Sequence, residues 1–361
     1  MLLTGVVFIY TPGDLIVGDI LGMDVKSNAI WIAYAAILLY YIISTIFPID
    51  QIIGRVYPIF GAVLIISAIG VFVGVMLDGG ANMPDLSSGL LMQHPKGQSF
   101  IPVFFITVAC GIMSGFHGSQ ATLISRTVKH EKEGRHTFYT MMLVEGAIAM
   151  VWAAGAMVLF GRGTDTVTGA TAMVGIISRE FMGTIGGLFA IAGVIVLPIT
   201  SGDTAFRALR LMIAEQFDID QKSAHKRVIL SIVIFIPAIL ILIYAKSSPG
   251  GFNLLWRYFG FTNQLVAVFA LAMITVYLKA EGKNYMISLL PGTFYTFIVF
   301  SYIFHEKIGF GLEARLGEFF NIAETSYAIS YTLGAICAVL FIWLVPKLAS
   351  KRKDTIINYK M

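Results

Sequence analysis

The feature that most constrains this chain is a series of long apolar runs, each close to the length of a membrane span. An α-helix needs about 20 mainly apolar residues to cross the hydrocarbon core of a bilayer. Because no water satisfies the backbone there, only helices and closed β-barrels can span that core. The runs lack the two-residue alternation of barrel strands. The sequence therefore predicts an all-α, polytopic helical membrane protein.

The composition supports the same class of protein. Only 13% of the residues are charged and 57% are hydrophobic, whereas soluble domains carry about 25% charged residues. The net charge of +4 is small, so the chain is not of the disordered type, and we expect no nucleic-acid partner. Cys110 and Cys337 lie inside apolar runs, where cysteine usually acts as a small buried hydrophobe. We expect the lipid bilayer as a partner, and neither a cofactor nor a metal.

Nine runs are long enough for full transmembrane helices. They lie at 28–47, 57–76, 100–123, 137–160, 183–200, 228–244, 261–278, 285–304 and 322–345. Residues 1–10 form only half a span, which stops at Thr11-Pro12-Gly13. Residues 170–182 are apolar but short, and we interpret them as an interfacial or re-entrant helix. Residues 1–361 are expected to form a single transmembrane transporter domain.

Lysine and arginine predict the orientation, because cytoplasmic loops are enriched in both. With the loop before residue 28 placed outside, most basic residues fall inside, including those of the loops at 126–135 and 207–227. The outside loops carry many of the acidic residues. The sequence thus predicts a multi-pass protein with a cytoplasmic C-terminus and a basic cytoplasmic tail at 346–361.

The run at 100–123 departs most strongly from an apolar span. Polar and small residues gather at its centre: Gly111, Ser114, Gly115, His117, Gly118, Ser119 and Gln120. Glycine weakens a helix by about 1 kcal/mol relative to alanine, so we expect this helix to break. Transporters use broken helices to bind substrate and ions near the midplane. Close packing of helices through small residues is the alternative, and the side chains of His117 and Gln120 favour a cavity.

Three further polar side chains lie within predicted spans. Glu145 lies in the span at 137–160, where a charge costs about 2.5–3.5 kcal/mol, so it is expected to be paired or protonated. A proton relay or substrate contact and a structural hydrogen bond both remain open for this carboxylate. Asn263 and Gln264 enter a span at its outer end, and hydrogen bonding between helices is their favoured role.

A cluster of oxygen-bearing side chains follows Pro198 at the end of the span at 183–200. Its members are Thr200, Ser201, Asp203 and Thr204. Their oxygen atoms, together with carbonyl groups freed by a helix end, suit a small cation. The alternative is an ordinary helix end, in which Ser201 or Asp203 caps a following helix at 205–215.

Four blocks of sequence occur in a recognisable order. They are the residues at 104–111 with Ser-Gly-Phe-His at 114–117, Met-Met-Leu-Val-Glu at 141–145, Thr-Ser-Gly-Asp-Thr-Ala at 200–205 with Arg207 and Arg210, and the block at 254–265. This arrangement resembles the carbon starvation protein A family of bacterial inner-membrane transporters. The resemblance extends over about 100–303, and its most specific parts are Ser-Gly-Phe-His and the stretch from Trp256 to Gln264.

The resemblance implies a fold related to the amino acid–polyamine–cation transporters, with two inverted repeats of five helices. The span with His117 would then be the sixth core helix, and the span ending at Thr200 the eighth, which often borders a cation site. Family members also carry an upstream His-His stretch and a helix that ends in basic residues. This sequence has neither, so we expect an N-terminally truncated member that lacks the first two core helices.

The function implied by this resemblance is proton-coupled import of a small carbon source during carbon starvation. Peptides or a small carboxylate such as pyruvate would be the substrate, a proton or sodium ion the coupling cation, and His117 and Glu145 the titrating groups. A non-transporting component or an inactive remnant is the main alternative. An intramembrane enzyme is a weaker one, because the sequence offers no nucleophile or metal set, and we expect no catalytic activity.

Overall fold

A computed structural model describes residues 1–46, 50–79, 83, 98–108, 113–164 and 170–358 of the protein. Within these ranges the secondary structure is helical and includes no β-strand. The twelve α-helices are α1 Leu2–Leu15, α2 Ala29–Ile46, α3 Asp50–Gly79, α4 Phe100–Thr107, α5 Gly115–Ile124, α6 Met141–Gly161, α7 Ala170–Gln216, α8 Ala224–Ser247, α9 Gly251–Ala280, α10 Met286–His305, α11 Leu312–Phe320 and α12 Ala328–Asn358. The prediction of an all-α protein is confirmed.

Eight helical segments in the described ranges are long and apolar enough to cross a membrane. They are Leu2–Ile20, Pro58–Leu77, Glu131–Gly161, Thr171–Gln216, Ala224–Ser247, Gly251–Ala280, Met286–His305 and Ala328–Ala349. Seven of them correspond to predicted full spans. The predicted span at 28–47 appears as the shorter apolar helix Ala29–Ser44, and the span at 100–123 is divided between α4 and α5. The predicted tail at 346–361 continues α12 as far as Asn358.

The helices form two compact units, which we describe separately. Unit 1 consists of Met1–Ser88 and Val128–Leu255, and unit 2 of Gly89–Thr127 and Trp256–Met361. The boundary between them falls within α9. The predicted single transporter domain stays a prediction.

In unit 1, α7 is the helix against which α1, α2, α3 and α6 pack. One apolar cluster joins α3, α6 and α7 through Val71, Val158 and Ile177, all fully or almost fully buried. A second cluster joins α1 to α7 through Leu15 and Ile191. Apolar side chains at helical spacing thus hold unit 1 together through its longest helix.

The first helix does not stop at Thr11-Pro12-Gly13, so the predicted half-span is wrong. Pro12 lies inside α1, and a π-helical segment extends the helix to Ile20. A proline in a helix leaves the carbonyl four residues earlier without its N–H donor. Here that carbonyl belongs to Phe8, and the buried hydroxyl of Tyr41 in α2 donates to it at 3.0 Å. A neighbouring helix therefore supplies the hydrogen bond that proline removes.

The segment predicted as a separate short helix at 170–182 is the first part of α7. Gly183 interrupts the helical backbone with φ 69° and ψ −175°, and α7 then continues to Gln216. Met173 and Ile177 of this first part are buried against α3 and α6. The same helix passes through Pro198 and the residues at 200–205 without ending, so the predicted helix end there is wrong.

In unit 2, α10 is central and packs against α4, α11 and α12. Its buried Tyr295, Ile298 and Val299 form an apolar cluster with Ile106 of α4 and Val268 of α9. Gly334 of α12 lies so close to the Ser301 hydroxyl of α10 that a larger side chain would collide with it. These helices therefore approach one another closely around α10.

The loops on either side of α11 carry an exposed ion pair between Lys307 and Glu324, with Nζ and Oε1 2.7 Å apart. The hydrogen bond and charge of Glu324 raise the pKa of Lys307, and the same contact lowers the pKa of Glu324. Because both side chains are exposed to solvent, the pair adds little to stability.

The Tyr41 hydroxyl is expected to stabilise α1 because of Pro12. Tyr41→Phe should lower the free energy of unfolding by about 1–3 kcal/mol, since it removes the hydroxyl that donates to the Phe8 carbonyl. In a Pro12→Ala background the new N–H of Ala donates to that carbonyl. Tyr41→Phe should then lower the free energy of unfolding by clearly less. The free energy of unfolding of the native protein, the two single variants and the double variant is measured in mixed detergent. An equal effect of Tyr41→Phe in both backgrounds would contradict this explanation.

Gly183 is expected to tolerate no side chain, because its backbone conformation is essentially restricted to glycine. Gly183→Ala should lower the free energy of unfolding by about 1–3 kcal/mol. Gly61→Ala in α3 is the matched control, since a Cβ there meets no described atom within 4 Å and alanine favours the helix by about 1 kcal/mol. Thermal melting of both variants in one detergent tests the contrast, and indistinguishable melting temperatures would refute it.

Candidate functional site

The predicted break in the polar span is confirmed. Helix α4 ends at Thr107, and α5 begins at Gly115 after the extended residue Ser114, with φ −135° and ψ 120°. The predicted site residue Gly111 lies outside the described residues. Gly115 forms the start of α5, so it belongs to the second half-helix and not to the break itself.

Two adjacent amides of α9 bind both half-helices. Asn263 Oδ1 accepts the Phe116 N–H at the start of α5, at 2.7 Å. Gln264 Nε2 donates to the Phe105 carbonyl near the end of α4, at 3.1 Å. The first N–H groups and the last carbonyls of a helix have no partner within the helix. These two side chains therefore hold the broken ends in place.

The amides reach the break because α5 lies directly against α9. A Cβ on Gly115 would collide with the Asn263 carbonyl oxygen, the Val266 side chain and the Ala267 backbone nitrogen. Gln264 is fully buried and Asn263 is 6% exposed. Glycine at 115 is therefore required for the close approach that places both amides.

The remaining polar residues of α5 have different environments. The Ser114 hydroxyl caps the helix by accepting the His117 N–H at 3.4 Å, and it contacts Asn263 Oδ1 at the same distance. The Ser119 hydroxyl donates to the Gly115 carbonyl of its own helix. Gln120 is 8% exposed, and neither of its amide atoms has a hydrogen-bond partner among the described residues.

This arrangement presents opposite partial charges at the C-terminus of α4 and the N-terminus of α5. The N-terminus of α5 favours a negatively charged group and the C-terminus of α4 a positively charged one. The N–H groups of Phe116 and His117 already bind Asn263 and Ser114. A carboxylate at the start of α5 would therefore replace one of these two oxygen atoms.

Glu145, predicted for the same site, lies in α6 of unit 1, where it is half-buried. His117 is also half-buried and lies in unit 2. The two residues are thus described in different units, and each keeps its predicted role as a hypothesis.

The predicted cation-site residues all lie on the continuous part of α7. The hydroxyls of Thr200 and Thr204 donate to the carbonyls of Leu197 and Thr200 in their own helix. Ser201 is half-buried on the same helix. The helix does not end here, and the cation-site prediction for these four residues stays a hypothesis.

Asp203 is 2% exposed and belongs to a network between α7 and α2. Its Oδ1 accepts from the Ser44 hydroxyl at 2.5 Å, and its Oδ2 lies 3.4 Å from Arg207 Nη2. Sequence reasoning missed Ser44, because a serine in an apolar run of α2 carries no local signal. No group of three or more His, Cys, Asp or Glu residues suited to a metal occurs within the described ranges.

Comparison with known proteins adds two relatives from Haemophilus influenzae. An uncharacterized membrane protein is 32% identical over 198 residues, which cover 42% of this chain and 53% of the relative. An uncharacterized protein is 47% identical over 119 residues, which cover 33% of this chain and 82% of that relative. The chain spans about half the length of the first of them. No solved structure matches.

The family model described as carbon starvation protein CstA matches residues 4–175 and 155–301 of this chain. The match includes α4, α5 and the amides of α9 that join them. It covers far more than half of the chain. This membrane protein therefore belongs to the carbon starvation protein CstA family.

Proposed function

We propose that this protein takes part in secondary active import of a small carbon source during carbon starvation. The substrate is a peptide or a small carboxylate such as pyruvate, and uptake is coupled to a proton. The protein would reside in the bacterial inner membrane with its C-terminus in the cytoplasm, as the distribution of lysine and arginine favours. We propose transport without chemical conversion of the substrate.

One observation carries this proposal: the helix of an apolar run of span length is interrupted between Thr107 and Gly115, and buried amides of a second helix hold its two ends. Irregular backbone is tolerated at this depth only where it is buried in protein or lines a cavity. Broken helices that expose half-helix ends are the usual binding elements of secondary transporters. The arrangement of α4, α5 and α9 offers such ends to a small polar substrate.

Within this proposal, the amide of Gln120 forms hydrogen bonds with the substrate, because neither of its polar atoms has a partner among the described residues. A buried amide without a partner costs about 1–3 kcal/mol, so a substrate that bonds to it would recover this free energy. His117 and Glu145 are the groups that would bind and release the coupled proton. The residues Thr200, Ser201, Asp203 and Thr204 remain alternative candidates for ion coupling.

Uptake by whole cells tests the transport proposal. Cells without their own carriers are given labelled pyruvate or a labelled dipeptide, and the chain is compared with any form extended by in-frame upstream codons. We expect one of the two solutes to accumulate, and a protonophore to abolish the accumulation because it removes the driving force. Confirmed insertion without accumulation of either solute by either form would count against this function.

Two glutamines of the site allow function and stability to be separated. Gln120→Leu removes an amide without a described partner, so we expect unchanged or higher thermal stability together with lower uptake. Gln264→Leu removes the donor to the Phe105 carbonyl and should lower the free energy of unfolding by about 1–3 kcal/mol.

The measurements are the melting temperature in detergent and the initial rate of uptake per amount of inserted protein. Thr122→Ala, on the exposed side of α5, is the control and should change neither quantity much. If Gln120→Leu melts at a lower temperature and takes up solute at the normal rate, Gln120 has a structural role and not the proposed one.

A further inference from the structure

Unit 1 contains a cavity whose lining residues are different from those of the site formed by α5 and α9. It has a volume of about 460 Å³ and is lined by α1 with its π-helical extension, α7, α8 and the segment after α8. Small-molecule sites in proteins typically measure about 300–1,000 Å³. The cavity is therefore large enough for a ligand the size of an amino acid.

Three charged side chains line this cavity: Asp14, Asp19 and Lys246. Asp14 Oδ1 accepts both from Lys246 Nζ, at 2.8 Å, and from the Tyr34 hydroxyl, at 2.7 Å. The side chains of Asp14 and Lys246 are 11% and 10% exposed. Both described bonds use the same carboxylate oxygen, so the pair leaves hydrogen-bonding capacity on Asp14 Oδ2.

Aromatic rings surround the ammonium group of Lys246. Its Nζ lies 4.8 Å from the centroid of the Tyr10 ring and 5.8 Å from that of Tyr34. The Tyr10 ring in turn packs against Phe252, with centroids 4.6 Å apart. Ring faces attract cations, so this wall of the cavity already stabilises a positive charge beside a carboxylate.

Asp19 provides a second carboxylate in the lining. Its Oδ1 lies 2.8 Å from Arg179 Nη1, and Arg179 Nη2 also donates to the Asp19 carbonyl. Asp19 packs against Gly175 of α7 so closely that a Cβ at 175 would collide with its carboxylate. Lys246 is among the lining residues and Arg179 is not. The lining therefore presents two carboxylates and one ammonium group.

We propose that this cavity binds a small zwitterion that carries both an ammonium and a carboxylate group. The ligand ammonium lies between the carboxylates of Asp14 and Asp19, and the ligand carboxylate lies against Lys246. The two carboxylates are balanced by Lys246 and Arg179, so the charges around the cavity sum to zero. A ligand with a single charge would leave that charge uncompensated, whereas a zwitterion keeps the sum at zero.

Protection of an introduced cysteine tests this proposal on the complete chain. Ser248→Cys, in the lining, is made in a background with Cys110 and Cys337 replaced by alanine. The purified protein is treated with a maleimide in the presence of L-alanine, ethylamine or pyruvate. We expect saturating L-alanine to slow modification at least about fivefold, as mass action requires of a bound ligand. Ethylamine and pyruvate should slow it much less.

Charge variants then identify the contacts. Lys246→Met and Asp19→Asn should each remove most of the protection by L-alanine. The control is Thr325→Cys, in an exposed loop of unit 2, which should react with the maleimide at the same rate in the presence of every solute. If a charge variant fails to fold, the comparison of the three solutes on the Ser248→Cys protein, with its charged residues unchanged, still tests the proposal. Equal protection by pyruvate, equal protection by ethylamine, or no protection by L-alanine would each overturn the proposal. Because binding is measured without flux, the result is independent of the proposed transport.

Discussion

In the hydrocarbon core of a bilayer the backbone has no water to bond with, so every interruption of a helix needs a donor or acceptor from another helix. This protein meets that requirement with single polar side chains. The Tyr41 hydroxyl donates to the Phe8 carbonyl, four residues before Pro12. Asn263 and Gln264 form hydrogen bonds with the two ends of the broken helix. Each interruption is thereby bonded to a particular neighbouring helix, in α1 in addition to its apolar packing against α7.

Buried charges in unit 1 follow the same requirement. Asp203 has Ser44 and Arg207, Asp14 has Lys246 and Tyr34, and Asp19 has Arg179. Removing one member of a buried pair costs about 3–5 kcal/mol, and among these carboxylates this applies to Asp203, which is 2% exposed. Asp203 is enclosed by protein groups, whereas Asp14 and Asp19 line a cavity. Asp14 and Asp19 are therefore the two of these carboxylates that a ligand in the cavity can contact, and the role of Asp203 in ion coupling stays a hypothesis.

Sequence reasoning succeeded where the signal was local. Seven of the predicted full spans correspond to apolar helices of sufficient length, and the run at 100–123 is interrupted between Thr107 and Gly115. It failed at Pro12 and at Pro198, where proline was interpreted as ending a helix. In both cases the helix continues. At Pro12 the Tyr41 hydroxyl of α2 donates to the carbonyl that lost its helical N–H donor. Local propensity could not reveal a donor that lies far away in the sequence.

The sequence by itself determined the membrane class, the all-helical fold and the interrupted helix, because hydrophobicity and the helix propensity of glycine act within a few residues. Only the tertiary structure decided which side chains complete the interruptions and which carboxylates line a cavity. Phe116 and Asn263 are 147 residues apart, and Asp14 and Lys246 are 232 residues apart. Such pairings depend on the rotation and depth of packed helices, which the apolar pattern of a single helix does not specify.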